Sequence, residues 1–172
     1  ELIMSSQLRV DKILPVDGAP TGGGGGIIQV VHATATSEVT QGFSSDDFVT
    51  TGLEATITPK FTTSKILITG YLSWYIDQGS NTGNVEWNFA VCNSSGTVLD
   101  GTTASIRGYR RTTRVEGGKH PINFIHSPNT TSAYTYQMRM NAKTSANSCN
   151  LQCQVNGTAN NISRLTLMEV SA

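Results

Sequence analysis

What this chain has little of narrows its function first. Charged residues fill only 14% of 172 positions, and 12 basic against 12 acidic side chains leave a formal net charge of +0. There is no basic field to draw in a polyanion, so nucleic acid is not an expected partner. No apolar run approaches the roughly 20 residues that span a bilayer, and no charged-then-apolar signal segment opens the chain. The expectation is a soluble protein without membrane insertion. Cysteine is scarce as well, at three residues. Cys149 and Cys153 share one face of a predicted strand roughly 13 Å apart, at about 3.3 Å per residue, too far to bridge each other. A bridge from either to Cys92 stays open beside the plainer reading of three small apolar thiols in or near a core, which suits synthesis in a reducing cytosol.

Reactive constellations are missing too. His32, His120 and His126 lie far apart, and none has a metal-ligand spacing with a cysteine or carboxylate. Asp46 and Asp47, the one adjacent acidic pair, fit a turn or a helix cap without acid–base work. No Gly-x-Ser-x-Gly elbow appears, and no phosphate-cradling Gly-Lys-Ser/Thr follows the glycine run. The expectation is a protein that is not an enzyme and needs neither cofactor nor metal.

What is present is alternation. Ile66, Ile68, Leu72, Trp74 and Ile76 share one face of residues 65–76, against Thr69, Tyr71, Ser73 and Tyr75 on the other. Val85, Trp87, Phe89 and Val91 alternate with Glu86, Asn88 and Ala90. Tyr134, Tyr136, Met138 and Met140 alternate with Thr135, Gln137, Arg139 and Asn141, and Cys149, Leu151, Cys153 and Val155 with Asn150, Gln152 and Gln154. A period of two marks strands with one wet and one dry face. Gly, Pro, Asn and Ser clusters bound these runs, as in His126–Ser132, and the last strand closes at Leu165–Val170. The four Asn-x-Ser/Thr sequences at Asn93, Asn129, Asn156 and Asn161 read as turns between strands. The fold class expected is all-β, an antiparallel sandwich in residues 27–172, with Trp74, Trp87, Phe89 and Phe124 in its core, each able to bury on the order of 150–250 Å². The Tyr134–Met140 face fits either an inner core or a subunit interface.

Residues 1–26 differ. Leu8, Val10, Ile13 and Leu14 form a short apolar segment, Pro15, Gly18 and Pro20 break it, and Gly22–Gly26 is a flexible joint. The arm is too short to bury its own apolar residues. It either docks on another subunit or a larger assembly, or folds back as an edge strand. Met4 is a possible true start. The densest charge is Arg107, Arg110, Arg111, Arg114, Lys119 and His120, interrupted by Tyr109 and the single acid Glu116. Two readings stand: a contact for an anionic partner through bidentate arginine, with Tyr109 beside it, or a solvated loop or arginine-rich subunit contact.

Several stretches together resemble a family of small tail-fibre and other virion surface proteins of tailed bacteriophages, of the kind found in marine and cyanobacterial viruses. They are Leu8–Ile13 with Pro15, Asp17 and Gly18; Gly25–Val30; Thr51–Pro59 leading into Ser64–Ile68; His126–Ser132; and Leu165–Val170. Their order and spacing carry the resemblance over nearly the whole chain. It implies a jelly-roll-like sandwich that forms a homotrimer and is fixed to other virion proteins by its N-terminal peptide, with no enzymatic activity. The expected place is the virion surface after synthesis in the bacterial cytoplasm. A short tail fibre would carry host-surface glycan contacts at Arg107, Tyr109, Arg110, Arg111 and Arg114. A capsid decoration protein bound to the major capsid protein is the alternative, favoured by the lack of any heptad pattern between arm and head. A free carbohydrate-binding module and a depolymerase are the further alternatives. The first would need an exposed aromatic platform, the second paired carboxylates in a cleft.

Overall fold

The computed structural model describes residues 26–42, 48–77, 83–99, 104–110, 115–144, 150–155 and 161–171. Ten strands account for most of them, and no α-helix forms among the described residues. They are β1 (Ile27–Ala35), β2 (Val39–Gly42), β3 (Val49–Ile57), β4 (Lys65–Asp77), β5 (Gly83–Asn93), β6 (Ala104–Arg110), β7 (Val115–His126), β8 (Tyr134–Thr144), β9 (Asn150–Cys153) and β10 (Ser163–Val170). All pairings between them are antiparallel.

β4 sets the first sheet. Of its thirteen residues, 66–77 pair with the whole of β7 along one edge. Its other edge is shared by β10, opposite residues 65–71, and β9, opposite residues 74–77. Outside these lie β1 on β10 and β2 on β9. The second sheet runs β3-β8-β5-β6. Counting β1 with β2 and β9 with β10 as single interrupted strands, the first sheet reads β1-β10-β4-β7, and most successive strands cross from one sheet to the other. That connectivity is the double-sheet jelly roll. The expected fold class is what the chain adopts.

Inward side chains of both sheets form one core. Ile66, Ile68, Leu72, Ile76, Ile122, Leu151, Leu165 and Leu167 come from the first sheet, and Leu53, Ile57, Trp87, Phe89, Tyr136, Met138 and Met140 from the second. Of the four aromatics expected inside, Trp87 and Phe89 are fully buried, while Trp74 and Phe124 are partly buried against the cluster. Trp74 packs on Trp87 and Phe89 with centroid separations of 5.3 and 6.1 Å. The Tyr134–Met140 face belongs to this core. Cys92 and Cys153 are both buried and unbridged, so no disulfide joins them; Cys153 Sγ lies 3.3 Å from Met140 Sδ instead, and burial pushes its thiol up to about 12. Cys149 lies outside the described residues.

Two expectations need correction. β5 is not wet on one face: Asn88, Ala90 and Cys92 are buried along with Trp87, Phe89 and Val91. Asn88 and Asn141 meet there through a 2.7 Å hydrogen bond, which lets an amide stand where a wet side chain was expected. The arginine-rich stretch is also not one loop, since residues 104–110 and 115–126 are strands of different sheets.

At Gly70 the backbone of β10 comes close. A Cβ there would lie 2.1 Å from the Arg164 carbonyl oxygen and 3.1 Å from Leu165 Cα. Both neighbours are backbone and cannot swing aside. Gly70→Ala is expected to destabilise the protein by about 2 kcal/mol or more, through overpacking that pries β10 from β4. Denaturant unfolding measures this, and an unchanged midpoint would contradict the packing described.

Candidate functional site

Register decides what the first sheet shows to its outer side. Alternation that sends Ile66, Ile68 and Leu72 inward sends Leu67, Thr69, Tyr71, Ser73 and Tyr75 outward. Along one rung of this outer face Val30 of β1 stands opposite Met168 of β10, Met168 opposite Leu67 of β4, and Leu67 opposite Ile125 of β7. All four are apolar. Val30 is 57% and Ile125 63% exposed, with Met168 and Leu67 half-buried between them. One step toward the end of the sheet, Ile27 is 60% exposed opposite Val170, and Phe61, in the β3–β4 connection, is 57% exposed. The rung on the other side is polar: His32, Thr166, Thr69 and Asn123, with His32 Nδ1 and Thr166 Oγ1 3.1 Å apart. The apolar row is therefore bounded and crosses all four strands.

The apolar end is pinned from inside by a carboxylate. Glu169 faces inward and is fully buried. Its two oxygens accept hydrogen bonds from Gln29 Nε2 at 2.5 Å and from the Lys60 backbone N–H at 2.7 Å, and Gln29 Nε2 also donates to the Thr58 carbonyl at 2.7 Å. Burial alone would raise the Glu169 carboxyl; the hydrogen bonds from Gln29 and the Lys60 backbone outweigh it and hold the group below its ordinary range. β1, β10 and the β3–β4 connection are thus tied at one point.

The far half of the same outer face is polar and aromatic. Ser73, Trp74, Tyr75, Gly117, Gly118, Lys119, Val155 and Asn161 line a notch of about 270 Å³. Its wall rises where β9 ends and β10 begins. There Gln154 takes a left-handed backbone conformation at φ 53, and its buried amide spans the break. The NH2 group donates to the Thr51 and Ser37 carbonyls at 3.1 and 3.0 Å, and the oxygen accepts from Ser163 Oγ at 2.7 Å. Ser163 Oγ accepts in turn from the Ser73 backbone N–H at 2.9 Å. Asn161 Nδ2 donates to the Val155 carbonyl at 2.7 Å. Lys119, opposite Ser73, holds its ammonium 4.5 Å from the Tyr71 ring centroid.

The structure separates the basic residues that the sequence groups together. Arg107 and Arg110 lie with Tyr109 on β6, the edge strand of the second sheet, in register with Glu86, Gly83 and Asn84 respectively. Lys119 is on the outer face of the first sheet. His120 points between the sheets, 5.0 Å from the Phe89 ring. Arg111 and Arg114 lie outside the described residues, as do the arm residues Leu8, Val10, Ile13 and Leu14. Of the other histidines, His126 shares a 2.9 Å hydrogen bond with the Tyr136 hydroxyl, and His32 is exposed. Among the described residues no group of three metal-ligating side chains gathers.

No family model matches the chain, and no curated protein matches it. Among solved structures it is similar to virus particles. A structure of infectious bursal disease virus, Gx strain, matches at TM-score 0.42 and 13% identity, covering 98% of this chain and 41% of that one. A VP2 subviral particle of the same virus matches at TM-score 0.40 and 11% identity, covering 99% and 43%. The chain thus spans about two-fifths of the length of each.

Val30, Leu67, Ile125 and Met168 were not legible as site residues from period-two alternation, which records them as exceptions. The signal was there in pairs: Val30-Val31, Ile66-Leu67-Ile68, Phe124-Ile125 and Leu167-Met168 each place apolar side chains on both faces of a strand. Only register shows that the outward members fall on one rung.

Acid is expected to act in two stages. His120 and His126 are both pulled below their ordinary value of 6.5 by burial, so the unfolded chain takes up protons first and stability starts to fall as pH drops through that value. Glu169, held below its ordinary 4.5, contributes fully above that pH and is lost as pH falls through its lower folded-state value. Glu169→Gln should cost about 1–3 kcal/mol at neutral pH, because one amide oxygen replaces two acceptors. It should also abolish the lower stage while keeping the histidine one. Denaturant midpoints across pH 3–7 test this; a variant that retains the lower stage would show that another carboxylate carries it.

Proposed function

We propose that the chain is a non-enzymatic structural protein of a bacteriophage virion. Its jelly-roll head self-associates, as a homotrimer, through the apolar row of the first sheet, and residues 1–26 attach it to other virion proteins. The apolar row is the observation that carries this reading. Single exposed apolar residues are ordinary, but a row from edge strand β1 to edge strand β7, extended by Ile27, Val170 and Phe61, marks a surface that another molecule covers. A second copy suits it. The central rung holds no charge, Lys65 standing on the next rung opposite Val170, and at net charge +0 copies do not repel one another. The sequence resemblance to small virion surface proteins supplies the virion setting, and of its two forms a short tail fibre with host-surface contact is the one we favour.

Capsid decoration is the second reading, favoured by the absence of heptads in the residues before β1. It keeps the trimer and changes only what the arm grips. Cryo-EM of intact particles decides between them: density at the tail supports the fibre and density over the capsid lattice the decoration role. Particles that lack the chain would overturn both.

The trimer itself is tested in solution. Val30→Glu with Ile125→Glu is expected to reduce the mass measured by light scattering from trimer to monomer, and both positions are exposed enough that the monomer's unfolding midpoint should stay within about 1 kcal/mol of wild type. A wild-type monomer, or a variant that remains trimeric, would contradict the assignment.

A further inference from the structure

We propose that in the trimer the outer face of the first sheet does not meet itself: it meets a different, carboxylate-bearing surface of the next copy, head to tail. This gives the self-association of the proposed function its direction and rests on that reading.

Charge of one sign surrounds the apolar row. Between the rung of Lys65 and Val170 and the rung of Ser73 and Lys119, every outward position of β1, β10, β4 and β7 is described. The charged side chains at those positions are Lys65, Arg164 and Lys119, and none is acidic. Lys65 stands one rung from the row, and Arg164 stands two rungs to the other side, opposite Tyr71. Both are exposed. At about 3.3 Å per residue the two cations lie roughly 20 Å apart along the strands, with the row between them. Lys119, one rung beyond Arg164, holds its ammonium 4.5 Å from the Tyr71 ring centroid and adds to the same field.

A two-fold contact centred on the row would set these cations against cations or neutral groups, whichever way its axis ran, because this part of the face has no carboxylate to receive them. The carboxylates lie elsewhere. Removing those three residues from the 12 basic ones leaves 9 against 12 acidic, so the rest of the chain is net acidic and is attracted to the face. Glu54 is one such charge. It is exposed on β3, an edge strand of the other sheet, and accepts from the neutral Gln137 amide at 2.7 Å. A patch that binds a different patch closes rings rather than two-fold pairs, and a trimer is such a ring.

Mixing two forms of the full chain tests the direction. In a head-to-tail contact the Val30→Glu, Ile125→Glu variant loses its own face but keeps the surface that a face binds. Native mass spectrometry of an equal mixture with wild type, at low salt, is expected to show trimers that contain one variant copy. Lys65→Gln with Arg164→Gln should raise the concentration needed for trimer roughly tenfold, and about 0.5 M salt should weaken the wild-type trimer in the same sense. Both side chains are exposed, so this second variant is expected to fold normally. The inference is overturned if no mixed trimer forms, or if neutralising the two cations leaves assembly unchanged or tightens it, as relief of like-charge contact would. Either result with a trimeric wild type leaves the self-association standing, whereas a monomeric wild type rejects both.

Discussion

The rest of the structure depends on the pairing of β4. It is the longest strand of the first sheet and meets three others, β7 along one edge over residues 66–77 and β10 and β9 in turn along the other. Its alternation fixes two surfaces at once. Ile66, Ile68, Leu72 and Ile76 become the floor of the core, and Leu67, Tyr71 and Tyr75 become the outer face. A shift of one residue would exchange them. Gly70, whose missing side chain lets the Arg164 carbonyl approach, holds β10 in that register.

Interruptions in the sheet are then where chemistry collects. β1 and β2 on one side, and β9 and β10 beside them, break at the same level, and each break leaves backbone groups without a ladder partner. Buried Gln154 and Ser163 take up that role, Gln154 donating to the Ser37 carbonyl between β1 and β2 and Ser163 Oγ accepting from the Ser73 backbone N–H. Val155 and Asn161, beside them, line one side of the notch. At the opposite end Glu169 draws β1 and the β3–β4 connection together beneath the apolar row. The same sheet face is thus divided into an apolar end and a polar, aromatic end, and the two invite different partners.

Much of this was legible in the sequence, and the physical reason is periodicity. β4, β8 and β10 alternate, save at Leu67 and Met168, because one side is core and the other is not. β5 misled in part, since amides at Asn88 and Asn141 satisfy each other in a dry setting. The arginine-rich stretch misled through its breakers: Gly117, Gly118 and Pro121 read as loop, yet β7 carries all three while paired to β4. Pro121 is tolerated because β7 is an edge strand. Neither the apolar row nor the notch could be seen in advance, because each is assembled from residues distant in sequence whose adjacency is a matter of register.

A side-chain-resolution structure of the assembled protein tests the central claim, that the outer face of the first sheet is the working face. The account predicts Val30, Met168, Leu67 and Ile125 buried against copies of the chain, with Tyr75, Lys119 and Asn161 open to the surroundings. An assembly held together through the sheet β3-β8-β5-β6, with the apolar row left in water, would contradict it.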